Sequence, residues 1–267
     1  MQKINLVALP CLCVDVFDRT DIIRPGGEAL NFAAHATTFK DVNVTLLGIV
    51  GRDKYADVIM NSISDLNINT EHVRIDERFE TAKSITYLTP DGDRYYKDDS
   101  WNGKILDNMV LNDEEIEIIA SADVVFIHFW ASCFAQVIEL KKKYGFKLAV
   151  DFSIYRNFEH MKKYAPDIDF FMISGEENLL PDFEKMSAEF DGLFNMTLAE
   201  NGSVTYHKGM SYRVPAVAVE TIVDTTGCGD SYHAGFVCEY MLTGDILRSM
   251  NRGSEMASKT LAHYGGF

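Results

Sequence analysis

Residues 224–231 read Asp-Thr-Thr-Gly-Cys-Gly-Asp-Ser, and they lie between a β-rich run, Val214–Val223, and a helical run that reaches Leu242. A strand, a glycine-rich turn and a helix in this order would bring several unpaired backbone N–H groups and the positive end of a helix dipole to one point. Phosphate groups bind favourably at such a point. The stretch therefore predicts an anion-binding turn.

The glycine spacing of this turn matches neither common phosphate-binding motif. No lysine follows it as in a Walker A loop, and its glycines are spaced differently from those of the dinucleotide fingerprint. Its distinctive residue is Asp230, because a carboxylate beside bound phosphate is unfavourable unless it accepts a proton from an incoming hydroxyl. Asp230 could instead simply cap the helix. Capping alone, however, leaves both flanking glycines unexplained.

Residues 224–230 resemble the C-terminal signature of the ribokinase-like (PfkB) carbohydrate kinases, Asp-Thr-Thr-Gly-Ala-Gly-Asp, with Cys228 in place of the alanine. The resemblance implies that Asp230 is the catalytic base and that the amides of Gly227, Cys228 and Gly229 form an anion hole. It also implies that ATP, with Mg²⁺, donates its γ-phosphoryl group to a primary hydroxyl of a small carbohydrate-like acceptor. A monovalent-cation requirement stays open.

Two further landmarks of that family concern the acceptor. Gly26, Gly27 and Asn31 match a Gly-Gly pair followed by a sugar-binding asparagine, and Asp15 matches an acidic residue that accepts hydrogen bonds from sugar hydroxyls. Glycine allows close approach of the backbone, and an amide side chain both donates and accepts hydrogen bonds. Without the resemblance, these residues would read as a loop entering the helix Ala29–Phe39 and a solvated turn carboxylate.

The resemblance also places residues on the nucleotide side. Glu177 matches the acidic residue of a motif that orders Mg²⁺, although Ser174 replaces that motif's asparagine. Thr197 and Gly202 match a nucleotide-site turn in which Ala199 replaces a glycine. The pair at 201–202, Asn-Gly, also makes a good hairpin turn by itself.

Two more residues are expected near the transferred phosphoryl group or the nucleotide. Asp151, Ser153 and Arg156 resemble an Asp-x-Asn-x-Arg segment of the family, in which Arg156 would offset phosphoryl charge. A solvated surface arginine is the alternative. Thr225, within the signature itself, is the other expected neighbour of ATP.

Short apolar runs alternate with amphipathic stretches along the chain, which predicts a parallel sheet with helices on both sides. The predicted strands are Ile4–Leu9, Val44–Val50, Val124–Phe129, Leu148–Phe152, Phe170–Ile173 and Phe194–Leu198. The predicted helices include Tyr55–Leu66, Asn112–Ala120, Phe134–Tyr144 and Phe158–Tyr164. Together with the resemblance, this pattern predicts a single α/β domain over residues 1–267 with the three-layer αβα ribokinase-like fold.

Two segments interrupt the alternation. Residues 15–24 are too polar for a core strand, and residues 82–97 read as a hairpin that turns at Pro90 to Asp93. They could form a plain surface hairpin or a small separate sheet. The resemblance implies a β-lid over the sugar and a homodimer formed through the lid, with Arg94, Tyr96 and Trp101 as candidates to touch the acceptor. His128, Trp130 and His233 either shape the acceptor pocket or are buried for structural reasons.

Composition excludes several classes of function. The 267 residues are 47% hydrophobic and 24% charged, as in an ordinary globular domain. A formal net charge of −15 disfavours nucleic acid and anionic membranes as partners. The five cysteines lack zinc-site spacing and suggest free thiols in the cytoplasm. The apolar segment Met1–Val14 predicts a buried first strand rather than a signal peptide.

The sequence leaves the acceptor open. The resemblance implies the C6 hydroxyl of an Amadori product such as fructoselysine, and fructose, ribose, 2-keto-3-deoxygluconate and a nucleoside are alternatives within the kinase class. The changes at Ser174 and Ala199 also leave room for a sugar- or nucleotide-binding sensor that has lost turnover. Asp230 argues against a sensor, because a protein that only binds has no use for a base there.

Overall fold

The computed structural model describes residues 3–18, 22–88 and 94–267, and for Leu88 and Arg94 it describes the backbone alone. The strands are β1 Ile4–Leu9, β2 Cys13–Phe17, β3 Ile23–Gly26, β4 Val42–Leu46, β5 Gly48–Val50, β6 Ile68–Asn69, β7 Val73–Ile75, β8 Ala82–Leu88, β9 Arg94–Tyr96, β10 Val124–His128, β11 Lys147–Asp151, β12 Phe170–Ser174, β13 Leu193–Thr197, β14 Ser203–His207 and β15 Met210–Val214. The helices are α1 Glu28–Ala36, α2 Lys54–Ser62, α3 Lys104–Asp107, α4 Asp113–Ala120, α5 Phe134–Tyr144, α6 Phe158–Met161, α7 Leu180–Ser187, α8 Cys228–Thr243 and α9 Ile246–Thr260.

The main sheet has the strand order β15-β14-β13-β12-β11-β10-β1-β4-β6. The strands from β6 to β13 in this order pair in parallel, and β14 and β15 add an antiparallel edge. Because the carboxyl ends of parallel strands meet at one edge, the residues that follow β1, β10, β11 and β12 are brought together there. This edge positions the site described below.

Helices cover both faces of the main sheet. Along β1, Leu6 and Ala8 belong to one buried cluster, whereas Val7 and Leu9 belong to another. The first cluster includes side chains of α1, α8 and α9, and the second includes side chains of α4, α5 and α7. Alternate residues of a strand point to opposite faces, so each cluster is one interface of a three-layer αβα domain. The predicted fold class is confirmed.

A second sheet has the order β3-β2-β8-β9. It contains most of the two segments that interrupt the alternation, 15–24 and 82–97. Register places Thr86 opposite Tyr96 and Tyr87 opposite Tyr95. Since facing residues share a side, Thr86 and Tyr96 lie on one face of this small sheet and the two other tyrosines on the opposite face. The predicted turn from Pro90 to Asp93 lies outside the described residues.

The prediction of a β-strand over the run Val214–Val223 is wrong. Strand β15 ends at Val214, and residues 215–226 contain no regular element. Val214 pairs with Ser203, the first residue of β14, so the partner strand ends at this point. Pro215 also lacks the N–H group that would continue a ladder. The anion-binding turn therefore follows a long irregular segment rather than a strand.

Two other elements are shorter or more broken than predicted. The run Val44–Val50 forms two strands, because the chain leaves the main sheet at Leu47 and β5 pairs with β7 instead. The stretch Phe158–Tyr164 is helical only as α6, Phe158–Met161. Neither difference changes the layer arrangement. Among the described helices, none has the length and apolar character that crossing a bilayer requires.

Candidate active site

The turn at residues 224–227 is held by one buried carboxylate. Asp224 Oδ1 accepts hydrogen bonds from the N–H and the hydroxyl of Thr226, at 2.8 and 2.6 Å. Its Oδ2 accepts the N–H of Gly265 at 2.9 Å. Asp224 is fully buried, and hydrogen bonds of this kind satisfy a buried charge. The turn is thereby joined to the C-terminal segment of the chain.

Two glycines of the turn are required for different reasons. Gly227 has φ 72°, and a Cβ atom there would lie 2.5 Å from the Cα of Gly266. Gly229 has ordinary helical geometry, and a Cβ atom there would meet no protein atom within 4 Å. Packing within the protein therefore does not require glycine at 229. The residue lines a cavity, so its missing side chain leaves room for a ligand against the start of α8.

The 16-residue helix α8 begins at Cys228, and its first turn contains Asp230. The N–H of Cys228 donates to the carbonyl of Thr225 at 3.3 Å. That amide is therefore already used within the turn, whereas the open space lies beside Gly229. A helix of this length carries a substantial positive partial charge at its N-terminus, which favours an anion there.

Asn31 and Asp230 meet in this cavity although 199 positions separate them in the chain. Asn31 Nδ2 donates to Asp230 Oδ2 at 2.7 Å. Asn31 is 3% exposed, and its Oδ1 has no hydrogen-bond partner among the described residues. A buried amide oxygen without a donor is unfavourable, so a donor group on a ligand would complete the arrangement.

Gly266 makes this contact possible. A Cβ atom on Gly266 would lie 2.4 Å from Asn31 Oδ1. His35 Nε2 donates to the carbonyl of Gly266 at 2.7 Å, and burial lowers the pKa of His35, so its ring is neutral. Gly266 was not among the residues that the sequence predicted for the site. The Gly-Gly pair at 265–266 was the available signal, because paired glycines often mark close backbone approach.

Asp15 lies in β2 and is also buried at the cavity wall. Its Oδ1 accepts the hydroxyl of Thr86 at 3.0 Å. A Cβ atom on Gly26 would lie 2.9 Å from Asp15 Oδ2, and one on Gly27, where φ is 106°, would lie 2.4 Å from the Cys11 carbonyl oxygen. The two glycines therefore allow the chain to pass between Asp15 and the end of β1. Asp15, Gly27 and Asn31 all line one cavity, with Gly26 packed behind it.

The cavity has a volume of about 870 Å³, large enough for a small organic ligand. It lies where the carboxyl ends of β1, β10, β11 and β12 meet the small sheet and the start of α8. Its polar and charged lining includes Asp15, Glu28, Asn31, Ser84, Lys97, Asp99, Asp107, His128, Asp151, Ser153, Ser174, Thr225, Asp230 and His233. Its aromatic lining includes Tyr96, Trp101 and Trp130. Sequence analysis did not single out Glu28, Asp99 or Asp107.

Buried titratable groups lie beneath the cavity. Burial raises the pKa of Asp151 to about 7, and burial lowers the pKa of His233 to about 3. His233 Nδ1 is 3.7 Å from Asp151 Oδ2, which is beyond hydrogen-bond range. The contact therefore joins a neutral imidazole and a carboxyl group and is not an ion pair. His128 Nδ1 and both ring nitrogens of His233 lack hydrogen-bond partners within the described ranges.

The residues predicted for the nucleotide side are less tightly grouped. Ser174 and Thr225 line the cavity, and the Thr197 hydroxyl donates to Ser174 Oγ at 3.4 Å. Gly202 has φ 84°, and a Cβ atom there would lie 2.1 Å from the carbonyl oxygen of Val214, so packing alone explains this glycine.

Glu177 and Arg156 lie outside the cavity lining. The carboxylate of Glu177 forms an ion pair with Arg213, and both side chains are about half exposed, at 46% and 52%. Arg156 is exposed and donates to the carbonyl groups of Ser153 and Tyr155. The structure therefore does not bring these two side chains to Asp230 in the conformation described. The side chain of Arg94 lies outside the described part of the structure.

The fold and the cavity together define a class of protein. A three-layer αβα domain carries a glycine-rich turn and a carboxylate at a helix N-terminus, and a small sheet flanks the cavity into which both face. These features are those of an α/β phosphotransferase that uses an alcohol group as acceptor.

Comparison with known proteins gives the family. The family model of the pfkB family carbohydrate kinases matches residues 20–266, and the chain belongs to that family. It is 26% identical over 258 residues to fructoselysine 6-kinase of Escherichia coli, covering 96% of each chain. It is 24% identical to a fructosamine kinase of Bacillus subtilis, covering 98% of this chain and 93% of that one.

The fold has close relatives among solved structures. Arabidopsis thaliana ribokinase, complexed with ribose and ATP, superimposes with a TM-score of 0.80 at 19% identity, covering 99% of this chain and 94% of that one. The protein is thus a sugar or nucleoside kinase of the PfkB family.

Proposed function

We propose that this protein transfers the γ-phosphoryl group of ATP to a primary hydroxyl of a sugar derivative, with Asp230 as the base. One observation carries the proposal: the Asp230 carboxylate faces the cavity at the N-terminus of α8, held by the amide of Asn31 at 2.7 Å. A carboxylate in that position is needed only if a proton must leave an incoming hydroxyl.

The proposed mechanism assigns a separate task to each group around Asp230. Asp230 accepts the proton of the acceptor hydroxyl as the oxygen attacks the phosphorus atom. The open face at Gly229 and the positive end of α8 accommodate charge on the transferred group. Asn31 holds the carboxylate by its Nδ2, and its unpartnered Oδ1 is available to a hydroxyl of the acceptor. Most of the acceleration then comes from positioning and electrostatics.

ATP would lie along the cavity edge near Thr225, Ser174, Thr197 and Gly202. Mg²⁺ bound with ATP would neutralise phosphate charge. Ser174 fits this arrangement, because its hydroxyl lines the cavity. Glu177 fits it less well, because Arg213 pairs with its carboxylate. A role for Glu177 in holding metal-bound water requires this exposed pair to open.

The cavity favours an acceptor that carries an amino group. Among the side chains that the structure describes there, six carboxyl groups line it, from Asp15, Glu28, Asp99, Asp107, Asp151 and Asp230, against one lysine, Lys97. A secondary ammonium group is attracted to such a surface, and the exposed faces of Trp101 and Trp130 could stack against the same cation. A sugar joined to an amine, such as fructoselysine phosphorylated at C6, meets this requirement. The similarity to fructoselysine and fructosamine kinases supports the same acceptor.

A nucleoside is the second candidate. Tyr96, Trp101 and Trp130 are 48–59% exposed at the cavity wall, and aromatic rings of this kind can stack on a nucleobase. The excess of carboxyl groups offers a neutral base no comparable advantage, so we rank this candidate below an aminated sugar.

We further propose that the small sheet acts as a lid. Tyr96 and Asp15 belong to its strands and line the cavity, so movement of the sheet toward α8 would exclude water during transfer. Arg94 begins its last strand and would contact the acceptor. The opposite face exposes Tyr87 and Tyr95, 39% and 54% accessible, which suits a homodimer through the lid. The free cysteines suit the cytoplasm.

Release of ADP tests the proposal. The purified protein is incubated with ATP and Mg²⁺ and one acceptor at a time: fructoselysine, fructose, ribose, 2-keto-3-deoxygluconate or inosine. We expect the highest kcat/KM with fructoselysine and phosphate at C6 by NMR. A preference for inosine would replace the sugar with the second candidate. If the protein binds ATP and sugars but releases no ADP with any of these acceptors, it is a sensor, and the kinase mechanism is refuted.

A further inference from the structure

A thiol, a carboxylate and an imidazole meet in the wall of the cavity away from the phosphate turn. One potential ligand atom from each of Cys11, Glu28 and His128 lies within 4.8 Å of the other two. The Mg²⁺·ATP chemistry proposed above uses none of the three. We propose that they form a zinc site, and that a zinc ion bound there blocks the acceptor.

The fold places these three residues reliably. Cys11 follows β1, and His128 ends the neighbouring parallel strand β10, one residue past the pair formed by Leu9 and Ile127. Glu28 is the first residue of α1, which is fixed against Cys11 because the N–H of Leu30 donates to the Cys11 carbonyl. Three separate elements thus bring their ligand atoms to one point, as in metal sites whose ligands are distant in sequence.

The donor set suits zinc better than magnesium. Sulfur and imidazole nitrogen are ligands of zinc, whereas magnesium takes oxygen ligands in an octahedron. Three protein ligands leave the fourth tetrahedral position open, and here it would face the cavity. The three ligand atoms need to approach by only about 1 Å to reach the separations in a tetrahedral site, since metal–ligand bonds are about 2.0–2.3 Å long.

An independent observation also points to a ligand. His128 Nδ1 is buried and has no hydrogen-bond partner within the described part of the chain. A neutral imidazole presents one lone pair, and a metal ion is a common partner for it. A thiol loses its proton when it becomes a zinc ligand.

The position of the site predicts its effect on activity. Glu28 and His128 line the same cavity as Asn31 and Asp230. A zinc ion with its water would occupy space and polar groups that the acceptor needs, but it would leave the phosphate turn unobstructed. Zinc should therefore raise the KM for the acceptor and leave the KM for ATP unchanged. This consequence rests on the proposed function, whereas binding of the metal does not.

Metal binding is measured first, without substrates. The full-length protein, kept reduced with a phosphine, is titrated with Co²⁺, which reports a bound thiolate by a charge-transfer band and tetrahedral geometry by its visible spectrum. Zn²⁺ then displaces Co²⁺ and gives the zinc affinity. We expect one ion per chain, and a loss of affinity on the order of 100-fold in Cys11→Ser and in His128→Gln.

The matched control is Cys13→Ser, because Cys13 is also buried and lines the cavity two residues away. It should keep the thiolate band. The proposed zinc site is refuted if the wild-type protein shows no thiolate charge-transfer band. It is also refuted if the band is lost in Cys13→Ser and kept in Cys11→Ser. Should Cys11→Ser fail to fold by circular dichroism, Glu28→Gln and His128→Gln decide the matter by their Co²⁺ affinities.

Kinetics are measured second, at fixed Mg²⁺·ATP. The proposal is supported if zinc raises the KM for the acceptor in the wild-type protein and has no such effect in His128→Gln. Inhibition that competes with ATP, or that persists in His128→Gln, contradicts the blocking role. If no acceptor is phosphorylated at all, the proposed function fails, and the Co²⁺ titration still stands as a separate result.

Discussion

The two sides of the cavity differ in how firmly their residues are held. On the proposed acceptor side, Asn31 and Asp15 are each 3% exposed, and Gly26, Gly27 and Gly266 leave no room for a side chain beside them. On the proposed nucleotide side, just outside the cavity lining, the ion pair between Glu177 and Arg213 is about half exposed. The first side is preorganised by packing, and the second can rearrange at little cost.

This difference has a consequence for sequence change. Where the backbone passes within van der Waals distance of a carboxylate or another backbone, few residues fit, so the family motif is kept almost intact at residues 224–230. Ser174 and Ala199, two of the departures from the family pattern, lie on the looser side, whereas Cys228 is a single departure within the packed motif. We expect substitutions to lower activity strongly on the packed side and weakly on the other.

Asp230→Asn should have the largest effect. The asparagine keeps the shape and can still accept the hydrogen bond from Asn31, but it cannot take a proton, so kcat should fall about 10²–10⁴-fold. ATP affinity and the melting temperature should change little. Asp57→Asn, an exposed carboxylate on α2, is the control. Turnover within a few-fold of wild type would remove Asp230 as the base.

Gly229→Ala tests the open face of the turn. A methyl group there meets no protein atom within 4 Å and adds helix propensity, so stability should hold or rise by up to about 1 kcal/mol. The same methyl group would enter the space left for phosphate, and kcat should fall about 10²-fold.

Gly145→Ala is the matched control for this change. Its Cβ also meets open space, but φ is 77°, so the alanine should cost about 1 kcal/mol of stability without affecting turnover. The two variants should therefore change stability and activity in opposite patterns, measured by chemical denaturation and by ADP release. Equal activity in both would show that the space at Gly229 is not used.

The sequence predicted the packed side of the site better than its surroundings. The motif at residues 224–230 and the pair Gly26-Gly27 are short contiguous patterns that the family resemblance located, although the two glycines are required by contacts with Asp15 and Cys11. The hydrogen bond between Asn31 and Asp230 depends on how α1 and α8 pack, and the need for Gly266 depends on the path of the C-terminal segment. The hydrogen bond leaves no local pattern, and the need for Gly266 leaves only the Gly-Gly pair at 265–266.

Errors in the predicted secondary structure have a similar origin. The run Val214–Val223 has suitable β propensity, but its partner strand β14 begins at Ser203 and offers no further hydrogen bonds. The run Val44–Val50 likewise breaks because β5 finds another partner in β7. Strand ends are decided by the neighbouring strand, so local composition cannot locate them.

Asp151→Asn examines the buried carboxyl group beneath the acceptor side. Burial raises its pKa from an ordinary value near 3.8 to about 7, so the folded protein binds more protons than the unfolded chain between these values. Stability from this group is therefore lost as pH rises through that window. The asparagine can still accept the Ser153 N–H and cannot ionise.

The free energy of unfolding of Asp151→Asn, relative to wild type, should rise by about 2 kcal/mol between pH 5 and pH 8. Urea titrations at both values measure it. His233→Gln is a companion with the opposite sign: burial lowers the pKa of that imidazole to about 3, so at pH 5 the unfolded chain binds a proton that the folded protein does not. The free energy of unfolding of this variant, relative to wild type, should therefore fall by about 2 kcal/mol between pH 5 and pH 8. If the difference in the free energy of unfolding between Asp151→Asn and wild type is the same at both pH values, the pKa of the carboxyl group is not raised in the folded protein.

The smallest effect is expected on the loose side, where Arg213→Met removes the partner of Glu177. Because the pair is about half exposed, the free energy of unfolding should change by less than about 1 kcal/mol. The released carboxylate would then be available to metal-bound water, so half-maximal activity should require two- to fivefold less Mg²⁺ in this variant and more in Glu177→Gln. An unchanged Mg²⁺ requirement in both variants would exclude Glu177 from the metal shell. A large loss of stability in Arg213→Met would show that this side is as firmly held as the other, which would break the comparison itself.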